Sequence, residues 1–251
     1  MSTTPPLLQD QPVSPPEVPQ SSAGTLGTPR RRWIALGIVL FVSFGHFIVS
    51  STYYAMGGTI PSDSGQHGVR LIGALISEIA SLAVLWYVLS SQGRGWKNIG
   101  WNLKWTDVFP AVGLVFGSIA ATFIVWIPLQ LSYHFYSGHY LTPKSLHGFF
   151  GFGISALSIA FVCLNPFFEE LIVRGYFMSE MMNLGINGAL AVLISVAVQM
   201  SYHFYQGFVN GIVLVITFTI FSIYFWRAGR IAPVVLAHFC IDAYALLRGK
   251  F

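Results

Sequence analysis

Long apolar runs separated by short polar breaks organise this chain. They lie at Trp33–Val49 and roughly at 69–89, 109–131, 149–184, 188–204, 209–226 and 231–247. A helix needs about 20 apolar residues to span a bilayer core, and most of these runs approach that length. The pattern predicts an all-α polytopic membrane protein, a bundle of about seven (six to eight) transmembrane helices. The 149–184 run is the exception. At 1.5 Å per residue it would make a helix of about 54 Å, too long for one span. Asn165-Pro166 offers a break, because proline removes a backbone donor and clashes with the preceding turn. Either one kinked helix projects from the membrane, or two segments share the run.

Composition agrees with the pattern. The 251 residues are 54% hydrophobic and only 9% charged, where a soluble domain carries about 25% charged residues. Residues 1–29 differ from the rest: they hold seven of the 13 prolines, with Ser, Thr and Gln. They read as a disordered cytoplasmic tail ahead of a membrane domain over 30–251. No signal-peptide h-region is present, so the first run reads as an uncleaved helix. The net charge of +4 does not point to nucleic acid, because the basic residues are scattered between apolar runs. They set orientation instead. Arg30–Arg32, then Arg94, Lys97 and Lys104, then Arg227 and Arg230 fall on one side; Arg70, Lys144, Arg248 and Lys250 fall on the other. The positive-inside rule favours a cytoplasmic amino terminus and seven crossings of the cell membrane. Cys163 and Cys240 lie in apolar runs, where buried reduced thiols are expected; they form no disulfide framework or cysteine-rich zinc site.

Against this background the charges inside the runs stand out. Glu169, Glu170 and Arg174 are the only charges in residues 161–178. An ionisable group at bilayer depth costs roughly 2.5–3.5 kcal/mol or more, so it usually faces a polar interior and serves a function. Glu170 and Arg174 are four apart and share a helix face, so they pair; Glu169 is rotated about 100° away and points elsewhere. An ion pair holding a bundle together accounts for Glu170 and Arg174 but leaves Glu169 unexplained. Two adjacent carboxylates supply a candidate proton acceptor. Downstream, His238 and Asp242 form another i, i+4 pair in an apolar segment. They could be a metal-ligand pair, a hydrogen-bonded unit, half of an oxyanion site, or a structural interhelical contact. His203 alone would read as an interfacial histidine. Its register argues otherwise: Glu169 lies 17 residues before Ile186 and His203 lies 17 after it. A hairpin turning near Gly185-Ile186-Asn187 would bring the two level, with the segments near 167–184, 188–204 and 231–247 as mutual neighbours. His46 and Glu78 read as structural or cavity-lining, and His134, His139 and His147 belong in or beside a loop over 132–148. The pentapeptide Ser-Tyr-His-Phe-Tyr occurs at 132–136 and 201–205; an aromatic belt at one membrane face explains it better than duplication does.

Glu169-Glu170-x-x-x-Arg174-Gly175, a histidine in the next span and His238-x-x-x-Asp242 resemble the three-motif pattern of the CPBP/Abi family. That family comprises the type II CAAX prenyl endopeptidases and bacteriocin-processing or immunity-related membrane proteins. The resemblance covers roughly 160–245, inside a catalytic region at about 150–248. The second motif departs from the family's Phe-x-x-x-His, since Gln199 stands where Phe is usual; that position is a packing one. The resemblance implies a CAAX-protease-like helical core with a cavity open to the cytosol, and an intramembrane endopeptidase acting on membrane-associated or lipidated proteins. Glu169 would activate water with His203 assisting. His238 and Asp242 would stabilise the oxyanion, and Glu170 and Arg174 would position the first motif. Zinc or another divalent metal, held with the help of His203 and His238, is one implied variant; a metal-free site is the other. The partners implied are a protein or peptide substrate and the lipid bilayer. Two other classes of function fit intramembrane charges: a non-enzymatic binding, immunity or scaffold protein, and a proton-coupled transporter. The transporter reading calls for repeated halves, and no internal symmetry beyond the pentapeptide is visible.

Overall fold

Arginines at two helix ends find one carboxylate. α1 (Pro29–Ala55) starts with Thr28, whose hydroxyl accepts from the Arg31 N–H, and with proline in its first turn, where a missing N–H costs nothing. α2 is Ser64–Ser91. Arg32 and Arg94, the latter just past α2, both pair with the fully buried Glu180, Arg32 at 2.9 Å. α3 (Val108–Ser137) follows, with Pro128 in its interior. α4 (Ala156–Glu170) begins on Ser155, which shares a reciprocal capping arrangement with Ser158. The chain then continues without interruption through a π-helical stretch, Leu171–Met178, into α5 (Ser179–Asn183). After a tight turn come α6 (Gly188–Ser201), α7 (Gly207–Ala228) and α8 (Ala232–Leu247). The computed structural model describes residues 27–58, 64–143 and 154–248. The tail over 1–26, Lys144, His147 and Lys250 lie outside the described residues.

Among the described residues the fold is all helical, with seven helical passes. Five are long and apolar enough to cross a membrane: Pro29–Ala55, Gly68–Ser91, Trp105–Ser137, Ala156–Asn183 and Phe204–Ala228. α6 and α8 are apolar but shorter, at 14 and 16 residues. The long 149–184 run resolves as one continuous helical segment from 156 to 183. Pro166 does not break it, since it lies inside α4; spanning helices tolerate proline where neighbouring groups satisfy the freed carbonyl. The real departure from α geometry comes five residues later, at the π stretch.

The three basic clusters gather at one end of the bundle. Besides the Glu180 pairs, Arg230 ahead of α8 pairs with Asp107 ahead of α3, and the Ile231 N–H donates to the Gly100 carbonyl at 3.1 Å. Gly100 sits at φ +86°, and a Cβ there would lie 2.6 Å from the Gly229 oxygen, so only glycine serves this junction.

The π stretch is the centre of the core. All eight of its residues are buried, and α1, α6 and α7 pack around it. The 3₁₀ turn Trp96–Ile99 presses on Gly175, where a Cβ would meet the Ile99 carbonyl at 3.0 Å. α8 packs on α3 and α4, and α2 on α4 and α1. The expected mutual packing of the three motif segments is therefore only partly realised. α8 meets α4, and α6 meets the π stretch, but α6 and α8 do not pack extensively on each other. Large apolar side chains such as Phe41, Trp105 and Tyr136 face outward, as a lipid-solvated surface permits. Cys163 and Cys240 are exposed free thiols on that outer surface, contrary to the expected burial. In lipid an apolar side chain gains nothing by turning inward.

Candidate active site

Glu169 and Glu170 end α4 where the π stretch begins, and they diverge. Glu170 is fully buried and pairs with Arg174 at 2.9 Å, the i, i+4 contact expected from the sequence. Arg174 is anchored further: its Nε donates to Ser222 Oγ and its Nη2 to the Phe218 carbonyl, each at 3.3 Å. Its guanidinium also lies 5.2 Å from the centre of the Phe218 ring. A buried ion pair is supportable only when its remaining lone pairs and protons are met, and here α7 meets them.

Glu170 has a second partner that the spacing did not reveal. His238 Nδ1 lies 2.8 Å from its Oε1, so this carboxylate also orients the imidazole of α8. The other ring nitrogen, Nε2, faces Asp242 Oδ1 at 3.6 Å, beyond a hydrogen bond. Asp242 is itself hydrogen-bonded by Asn165 of α4. His238 is thus held from behind and presents Nε2 forward.

Glu169 faces the opposite way, toward α6. Its Oε2 accepts from Gln199 Nε2 at 2.9 Å and from the Tyr202 hydroxyl at 3.2 Å. Both bonds land on one oxygen, and the residue keeps 5% exposure, which leaves Oε1 to meet a water. Sequence reasoning missed both donors. The family pattern makes 199 a packing position, yet Gln199 is fully buried and polar, and a buried amide in an apolar segment needs a partner. Tyr202 was passed over as a belt aromatic; its ring stacks on Phe44 of α1 at 4.5 Å, which fixes the hydroxyl on the carboxylate.

His203 lies two residues beyond α6, in the turn before the 3₁₀ segment Phe204–Gln206, rather than within the helix. Its Nδ1 is 2.8 Å from the Gln199 carbonyl. A carbonyl only accepts, so Nδ1 carries the hydrogen and Nε2 is left with a lone pair. Gln199 therefore binds Glu169 with its side chain and His203 with its backbone. Phe218 of α7 sits between the two histidines, its ring 5.3 Å from His203 and 6.0 Å from His238. The hairpin register was right to within one turn, because the end of α6 does meet Glu169.

The two pentapeptide copies lie at the same end of the bundle but have different surroundings. The first closes α3 with Phe135 and Tyr136 exposed, as a belt requires. The second has Tyr202 and Tyr205 buried and builds the site. His134 belongs to the last turn of α3 and stacks on Tyr140.

His203 also lines a cavity of about 700 Å³ between α3, α6 and α7, with Val125, Met200, Phe204, Phe208 and Ile212. That volume is in the range of small-ligand sites, and the lining is almost wholly apolar. Residues 151–244 match the family described as Rce1-like, type II CAAX prenyl endopeptidase. That stretch, well under half of the chain, is similar to the family. No curated protein and no solved structure matches the chain. The Rce1-like region takes in every residue of the three motifs and stops short of α1, α2 and α3.

His203 and His238 each engage a protein partner through Nδ1, so a metal would be held through the two Nε2 atoms. Among the described residues no group of three or more His, Cys, Asp or Glu side chains is arranged to hold a metal ion.

Proposed function

We propose that the Rce1-like region is an intramembrane endopeptidase in which Glu169 activates water to hydrolyse a peptide bond of a membrane-associated or lipidated protein. The observation that carries this reading is the one-sided clamp on Glu169. Two donors fix Oε2, so Oε1 is aimed and available as a general base. His203 Nε2 offers a lone pair to help hold the same water. Attack on the carbonyl places negative charge on its oxygen, and His238, held as the doubly protonated imidazolium between Glu170 and Asp242, gives Nδ1–H to Glu170 and offers Nε2–H to that charge. Asp242 and Asn165 set the angle of His238. Arg174 keeps Glu170 in place and does not touch the reacting atoms. The apolar cavity beside His203 suits a lipid chain or an apolar substrate segment next to the bond to be cut. The arginine-rich end of the bundle faces the cytoplasm, in keeping with the positive-inside rule.

Purified protein should cleave membrane-anchored peptides, and Glu169→Gln should abolish cleavage with its melting temperature nearly unchanged. Wild-type activity in that variant would remove Glu169 from the chemistry. Binding of the same peptides without cleavage by the intact chain would favour the non-enzymatic alternative. Cleavage should also survive chelators in metal-free protein. Stoichiometric metal that is lost in both His203→Ala and His238→Ala would overturn the metal-free reading.

A further inference from the structure

A third carboxylate is buried beside the site, outside the Rce1-like region. Glu78 lies midway along α2, the helix that packs on α4. It is fully buried, and neither carboxylate oxygen has a hydrogen-bond partner. Its electrostatic neighbours are Glu169 and Asp242, so it faces the reacting centre rather than lipid. No arginine, lysine or histidine pairs with it among the described residues.

An ionised carboxylate with no donor is the costliest group a protein interior can hold. Glu169 and Glu78 are treated very differently. Glu169 receives two donors on one oxygen and Glu78 receives none. When two nearby carboxyls share one charge, the charge settles where the donors are and the proton settles on the other. Peptide hydrolysis needs such a proton. The base takes one from water, and the departing amine nitrogen must receive one as the C–N bond breaks. His203 is poorly suited to supply it, since its one N–H is held by the Gln199 carbonyl.

We propose that Glu78 is the proton donor of the reaction, sharing the site with Glu169 as an acid–base pair built across α2 and α4. In the resting site Glu78 carries a proton and Glu169 the negative charge. Water adds to the carbonyl carbon as Glu169 takes its proton. The C–N bond then breaks as Glu78 gives its proton to the amine nitrogen, directly or through one water. The proton on Glu169 passes to Glu78 as products leave. The net change is one peptide bond and one water converted to a carboxylic acid and an amine, with both glutamates restored. The proposal rests on the endopeptidase reading above.

Glu78→Gln keeps the size and neutrality of the side chain but cannot transfer a proton. It should fold and melt like the parent, with kcat lowered roughly 10²- to 10⁴-fold and KM little changed. Glu78→Asp should recover part of the loss. Unchanged kcat in Glu78→Gln would refute the proposal. A second arm needs no substrate. Infrared difference spectra of the intact protein in bilayers should show a protonated-carboxyl band that is absent in Glu78→Gln and displaced in Glu169→Gln. A band unmoved by Glu169→Gln, or no band, overturns the pair. If the parent cleaves nothing yet the band behaves as expected, the endopeptidase reading fails and the shared proton stands.

Discussion

At the scale of the residue, Gln199 departs furthest from expectation. A phenylalanine there would fill the same space but leave Glu169 with the Tyr202 hydroxyl alone, on a carboxylate that is only 5% exposed. A hydrogen bond to a charged group contributes roughly 1.5–3 kcal/mol. Gln199→Leu should therefore lower thermal stability by that order and reduce kcat, since Glu169 would lose its fixed rotamer. Tyr202→Phe should do less, because the ring still stacks on Phe44. Thermal melts and cleavage rates on the same preparations check both. Asp242 makes a second case. Its Oδ1 lies 3.6 Å from His238 Nε2, beyond a hydrogen bond, and in the proposed mechanism it sets the angle of that ring and leaves room for the oxyanion. Asp242→Asn should keep most activity, because an amide can donate to that oxyanion, whereas Asp242→Ala should cost roughly 10²- to 10³-fold in kcat. The motif residues Glu169, Glu170, Arg174, His203, His238 and Asp242 were legible in the sequence because charge is rare in an apolar run. Gln199, Tyr202 and Asn165 were not, because uncharged polar and aromatic side chains are common there and only their partners give them meaning.

At the scale of the element, the hairpin and the seven apolar passes could be read from hydropathy. The π stretch could not. A π turn leaves no composition signal, since Leu171–Met178 apart from Arg174 is an ordinary apolar run; its bonds reach one residue further, and such bulges frequently lie at functional sites. Proline at 166 drew attention as a breaker, while the actual start was signalled by Ser155 and Ser158, an ordinary cap. The π stretch places Glu170, Arg174 and Gly175 at the bundle centre, where α7 meets the guanidinium and the 96–99 turn meets the glycine. Arg174→Ala should be destabilising by about 3–5 kcal/mol, because it leaves Glu170 buried with only His238. The expected result is low yield and early unfolding in detergent, with activity lost alongside the fold. A variant that folds normally and loses only catalysis would mean that Arg174 touches the reaction. Gly175→Ala should also destabilise, through the 3.0 Å approach to the Ile99 carbonyl.

At the scale of the whole molecule, the charges that stitch helix ends together also set how the protein sits in its membrane. Arg32, Arg94 and Arg230 are tied to Glu180 and Asp107 at one end, and the chain returns to that end after each pair of crossings. The opposite end carries Phe135, Tyr136 and the turn over 202–206 that bears His203, so with the arginine end cytoplasmic this side of the site opens away from the cytosol, unlike the cytosol-facing cavity the resemblance implies. Seven crossings would put the two termini on opposite faces, and the positive-inside rule favours the arginine end as the cytoplasmic one. Lys97 is an exposed residue at the arginine end and Tyr136 an exposed one at the other, so they make a clean pair of reporters. With Cys163 and Cys240 replaced by serine, Lys97→Cys in intact cells should resist a membrane-impermeant maleimide and react once the membrane is opened. Tyr136→Cys should react in intact cells. The reverse pattern would turn the molecule over, and labelling of both from one face would mean that α3, the helix between the two reporters, does not cross.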